Sequence, residues 1–245
     1  MPSESGDQKL LGNLRKLIDF VSADSNYNPA NSRIKVAGLE TLYTSGQSAA
    51  TSVQTAEPPY RVSVNNRQTI FASVAPRMGS AFRMAKASGA DQLILDDIDT
   101  YRRKLSSPRK AKAPKVDPNA PANEDEPSNK THSTSQMSYD NQVGNVEGMI
   151  ALLSTIASYN PNEDALKITA LQTFATELRA ANDAVSSSFP PLSQARGRRN
   201  EALYTGEDSV VDIAKLVKAY VSAAFGTDSP LYKQIKGLEF RQQNK

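Results

Sequence analysis

Cysteine is absent from the 245 residues and histidine occurs once, at His132. Without cysteine there are no disulfides and no thiolate metal sites. One histidine leaves no multi-histidine zinc site. A di-iron bundle needs two Glu-x-x-His motifs, and none is present. Nor is there a phosphate-binding P-loop or a GxGxxG turn. No stretch approaches 18 consecutive apolar residues, so no membrane span is expected. The first seven residues are polar and acidic, unlike a signal peptide, and the expected location is the cytoplasm. Taken together these shortages point away from an enzyme, and no cofactor and no metal is expected.

What is there is a repetition, which is sought before any other feature because it governs the fold. A shift of 132 residues sets Leu11-Gly12-Asn13-Leu14 on Val143-Gly144-Asn145-Val146 and Tyr27-Asn28-Pro29 on Tyr159-Asn160-Pro161. It also sets Pro58-Pro59 on Pro190-Pro191, Arg67 on Arg199, and Lys86-Ala87 on Lys218-Ala219. No gap is needed from 11 to 88, and 18 of those 78 positions are identical, where ordinary composition gives about five. Many of the other pairs exchange one apolar side chain for another: Leu17/Met149, Phe20/Leu152, Ile34/Leu166, Leu42/Phe174, Phe71/Leu203 and Met84/Leu216.

Each segment reads as helical. Leu10, Leu11, Leu14, Leu17, Ile18 and Val21 follow the i, i+3, i+4, i+7 spacing of an amphipathic helix, and 143–156 repeats it. Asn28 and Asn160 are expected to cap a second helix, with Pro29 and Pro161 at its first position; Glu163 completes a capping box in the second segment. That helix should cover 30–55 and 162–187 and stop at the paired prolines, which disfavour helix in the residue before them. Three further helices follow near 59–73, 76–88 and 91–105, with partners near 191–205, 208–225 and 230–238. Asp208 or Glu207 should start the one near 208, Gly226 should end it, and Ser229-Pro230 should open the last. The expected fold is all-α: a tandem, pseudo-two-fold duplication of a four- to five-helix bundle. Its parts are a tail over 1–7, one copy over 8–105, a Pro-rich charged linker over 106–141 and a second copy over 142–245. The shared core should include Leu14, Leu17, Ile18, Val21, Ile34 and Leu39, with Val146, Met149, Ile150, Leu153, Leu166 and Leu171. Tyr27 and Tyr159 should pack across the bundle with their hydroxyls at the surface.

Between the copies the apolar pattern disappears, and a composition rich in Pro, Ser, Asn, Lys and Glu cannot bury enough surface to fold alone. As a flexible chain it would span roughly 30 Å, enough for the copies to lie side by side as a pseudo-dimer. Its charge is segregated: Arg102, Arg103, Lys104, Arg109, Lys110, Lys112 and Lys115 precede Asp117, Glu124, Asp125 and Glu126. Ser107-Pro108-Arg109-Lys110 resembles the Ser-Pro-basic-basic repeats of histone tails, which implies contact with the DNA minor groove. Those seven cations are the candidate nucleic-acid-binding residues, since phosphate binding scales with the cations supplied. The overall charge of +3 is uneven, with 13 basic against 8 acidic residues over 8–105 and 11 against 11 over 141–245.

Two smaller clusters complete the reading. Asp91, Asp96, Asp97 and Asp99 lie at the start of a helix, where acids favour the positive end of its dipole; their spacing fits no EF-hand loop. Arg67/Arg199, Lys35/Lys167 and Lys86/Lys218 recur at the 132-residue offset and are expected to form structural ion pairs. The expected function is that of a non-catalytic interaction or assembly protein that binds a protein partner or itself. The alternative is a nucleic-acid-binding protein that uses the first copy and the basic run.

Overall fold

A computed structural model describes residues 4–106 and 138–241. The described residues form helices and no strand. The α-helices are α1 (Glu4–Ala23), α2 (Val36–Ala72), α3 (Val74–Ala87), α4 (Gln92–Leu105), α5 (Tyr139–Ser154), α6 (Ile168–Asn200), α7 (Val210–Phe225) and α8 (Pro230–Ile235). A 3-10 turn precedes each long helix, Ser32–Ile34 before α2 and Asp164–Leu166 before α6. A π-helical turn, Glu201–Thr205, extends α6.

The chain divides into two compact units. Unit one is Met1–Val62 with Ser187–Lys245, and unit two is Ser63–Ser186. Each of the segments 8–105 and 142–245 therefore contributes to both units. Unit one is built on α1, the first part of α2, the last part of α6, the π turn, α7 and α8. Its core joins Leu14, Leu17, Ile18 and Val21 of α1 to Leu39, Leu203, Val210, Ala214, Val217, Val221 and Ile235. Gly46 lies against Leu203, where an added Cβ would meet the leucine methyl at 3.0 Å, and Tyr60 meets Phe189. Fourteen residues forward along α2 match fourteen back along α6, so the two run antiparallel within this unit.

Unit two is built on the remainder of α2, α3, α4, α5 and the first part of α6. Phe71, Met78, Ile98, Val146, Met149, Leu153, Leu171, Phe174 and Leu178 form its core, and α4 packs against α3 and α5.

Of the twelve positions expected in the core, eleven are buried; Leu166 is half-buried. Local bonds recur at the 132-residue offset. The Tyr27 hydroxyl donates to the Ile34 carbonyl at 2.6 Å, and that of Tyr159 to the Leu166 carbonyl at 2.8 Å. Lys35 and Lys167 close the two 3-10 turns by backbone bonds to Ser32 and Asp164. The tyrosine hydroxyls thus point inward, contrary to the sequence expectation, and supply donors to the Ile34 and Leu166 carbonyls at the ends of the turns.

The paired prolines do not end helices. Pro58 and Pro59 lie inside α2, and Pro190 and Pro191 inside α6. An interior proline removes a helical bond and costs about 3 kcal/mol. Here Val53, Ala56 and Tyr60, on α2 around the prolines, pack with Leu192 and Ala195 of α6, and this burial offsets the lost bond. The helix starts also differ from expectation. Asn28 and Asn160 cap nothing: Asn31 accepts from Arg33 N to open the first 3-10 turn, Glu163 makes no side-chain cap bond, and the α-helices begin only at Val36 and Ile168. Ser209, not Asp208 or Glu207, caps α7. Gly226 at φ +83° ends α7, and Ser229 caps α8 with Pro230 in its first turn.

Candidate functional site

The site begins with a tight turn. At Gly38 an added Cβ would lie 2.5 Å from the Ser32 carbonyl oxygen, so the 3-10 turn folds back onto the start of α2 more closely than a side chain at this position would allow. This carries Arg33 to the edge of a groove in unit one. The groove has a volume of about 440 Å³ and is lined by Arg33, Gly38, Thr41, Leu42, Ser45, Ala202, Asp208 and Ile213, a size within the usual range of ligand pockets. Arg33 Nη1 donates to Asp208 Oδ1, and both side chains are half-exposed. The Thr41 hydroxyl donates to the Ala37 carbonyl at 3.0 Å. What remains is an apolar slot with a guanidinium–carboxylate pair among its walls.

The positions 132 residues away make a different arrangement in unit two. Phe174 corresponds to Leu42, Ile70 to Ala202 and Ala165 to Arg33. Phe174 is buried in the core, with Ile70 packed against the same cluster. The Arg77 guanidinium stands 4.5 Å from the centre of the Phe174 ring and donates to the Ala165 carbonyl at 3.1 and 3.3 Å. At these positions unit two carries an aromatic ring beneath a guanidinium, whereas unit one carries the smaller Leu42 and Ala202 beside a groove.

Beside the groove-lining Ala202, the π turn carries a buried polar cluster. Arg199 Nη1 and the Tyr204 hydroxyl both donate to the Asp7 carboxylate, and Arg199 Nε donates to Asn200 Oδ1 at 2.9 Å. The Asp7 and Arg199 side chains are each 8% exposed. Asp7 was expected in a polar tail; pairing with two donors is what lets it lie inside. Arg199 is thus the structural ion pair expected of it, but Arg67 is not. Arg67 lies 4.0 Å over the Tyr139 ring, because the position matching Asp7 is Tyr139, and its buried Nε has no acceptor. Lys167 pairs with Asp164 at 2.6 Å. Lys218 instead donates to the Lys236 and Leu238 carbonyls beyond α8, and burial pushes its pKa down.

The basic run is only partly described. Arg102 and Arg103 both donate to Asp99, at 2.5 and 2.6 Å. Burial raises the Asp99 pKa, but the two guanidinium bonds outweigh it and hold the carboxyl below its ordinary value. Lys104 stands 5.2 Å from the Tyr101 ring centre and Arg102 5.3 Å from that of Phe82. Arg109, Lys110, Lys112, Lys115 and His132 lie outside the described residues. In the acidic cluster, Asp91 accepts from Leu93 N as the cap of α4, and Asp96 accepts from Gln92. Among the described residues no group of three or more acidic, His or Cys side chains is placed to hold a metal ion, and no helix is long and apolar enough to cross a membrane.

Comparison with protein-family models, with curated proteins and with solved structures gives no match. The groove was not anticipated from the sequence. Its signal was there in the loss of bulk from Phe174 to Leu42 and from Ile70 to Ala202, but nothing in the sequence says that those two positions face one place.

Proposed function

We propose that this chain is a non-catalytic helical interaction and assembly protein, produced by duplication of a segment that pairs with its own copy. The observation that carries the reading is the composition of the two units: each core takes the first part of one segment and the last part of the other. Two copies that complete each other's cores are related as the protomers of a domain-swapped dimer are, here within one chain. The recurrent tyrosine-to-carbonyl bonds and 3-10 turns at the 132-residue offset support a common origin. The groove supports recognition over catalysis, because the one carboxylate lining it is already paired with Arg33.

Asp99 counts against the nucleic-acid alternative, since it occupies two of the seven cations on which that reading depends. The test is the mass of the intact protein by light scattering over a rising concentration series. Assembly predicts a particle of at least twice the 26.5 kDa chain mass. A mass of one chain throughout, with salt-sensitive retention on DNA, would favour the alternative.

A further inference from the structure

We infer that the groove in unit one receives the Phe189 side chain of a second copy of this chain. The inference rests on the duplication and assembly reading above and names its contact.

Three observations meet. At the position 132 residues beyond Leu42, unit two packs a phenyl ring, that of Phe174, under a guanidinium. In unit one the ring is missing and the groove is lined by Leu42, Ala202 and Ile213, with the Arg33 guanidinium among its walls. The same unit exposes a phenyl ring elsewhere. Phe189 is 49% exposed on α6, propped by Tyr60 at 5.7 Å between ring centres. It cannot fill its own chain's groove. Ala202 lies thirteen residues further along the same helical run, about 20 Å at 1.5 Å per residue. A ring in need of cover and a slot in need of a ring therefore belong to separate copies. An aromatic anchor entering a pocket is the usual centre of binding energy in an interface, and a guanidinium over its face adds a cation–π attraction. The contact joins two different patches, so it closes as a reciprocal pair or extends from copy to copy.

The test compares three proteins by light scattering over one concentration series, with helical content checked by circular dichroism. The parent should assemble. Phe189→Ser alters an exposed position, so it should keep its helicity and need about tenfold or more protein to reach the same mass. Leu42→Phe with Ala202→Ile places the bulkier side chains of unit two at two lining positions, narrows the slot and should be equally defective. Mixing the two variants should restore a dimer and nothing larger, because one supplies only the slot and the other only the ring. N-acetylphenylalaninamide added to the parent should lower its mass. If the parent assembles and Phe189→Ser assembles equally well, the inference fails while the assembly reading stands. A parent of single-chain mass at every concentration overturns both, and if it nevertheless binds N-acetylphenylalaninamide, the slot serves a foreign aromatic group.

Discussion

Arg199 donates to the carboxylate of Asp7, 192 residues earlier in the chain, with both side chains inside unit one. This bond ties the N-terminal helix, through a residue ahead of the first matched segment, to the end of α6 in the second. Removing one partner leaves the other charged and buried, which costs about 3–5 kcal/mol. Arg199→Ala should therefore lower the unfolding free energy by about that much in urea. The pair replaced together, Asp7→Leu with Arg199→Met, should lose much less. Equal losses from the single and the paired substitutions would show that the ion pair is not what holds α1 in place.

Tyr27 offers an independent probe of the loop before α2. Tyr27→Phe leaves the Ile34 carbonyl without its buried donor and should cost about 1–3 kcal/mol. Burial raises the Tyr27 pKa above its ordinary value, so the unfolded chain releases that proton first as pH rises. Its contribution is present below about pH 10, the ordinary tyrosine value, and is lost as pH rises beyond it. The parent should lose stability above that pH more steeply than Tyr27→Phe. Matching pH profiles would place the hydroxyl in water.

At the prolines, long-range packing overrides the local signal. Helical periodicity locates Leu14, Leu17, Ile18 and Val21 correctly, since that pattern records which face of α1 is buried. Pro58 and Pro59 were read locally as a stop, yet the packing of residues far apart in sequence carries α2 through them. The partner of Arg199 is likewise not legible in the sequence: nothing near it points to Asp7. The recurrence of Arg67 suggested a second ion pair, but the ring of Tyr139 stands where the acid would be.

Those interior prolines should be costly to the fold they occupy. Replacing Pro58 and Pro59 with Ala restores donors for the Gln54 and Thr55 carbonyls, four residues back. The variant should be more stable, by up to about 3 kcal/mol per site, with a raised midpoint in urea. A lowered midpoint would mean that α2 depends on a bend at this point.

Each unit is built from both matched segments. The direct measurement is to insert a protease site within 107–137, cleave the folded protein, and follow the fragments by gel filtration with light scattering under native conditions. The two fragments should stay together, keep their helicity and elute as the uncut protein does, separating only in denaturant. Two fragments that part in native buffer, each still helical and cooperatively folded, would contradict it, because each segment would then be a bundle complete in itself.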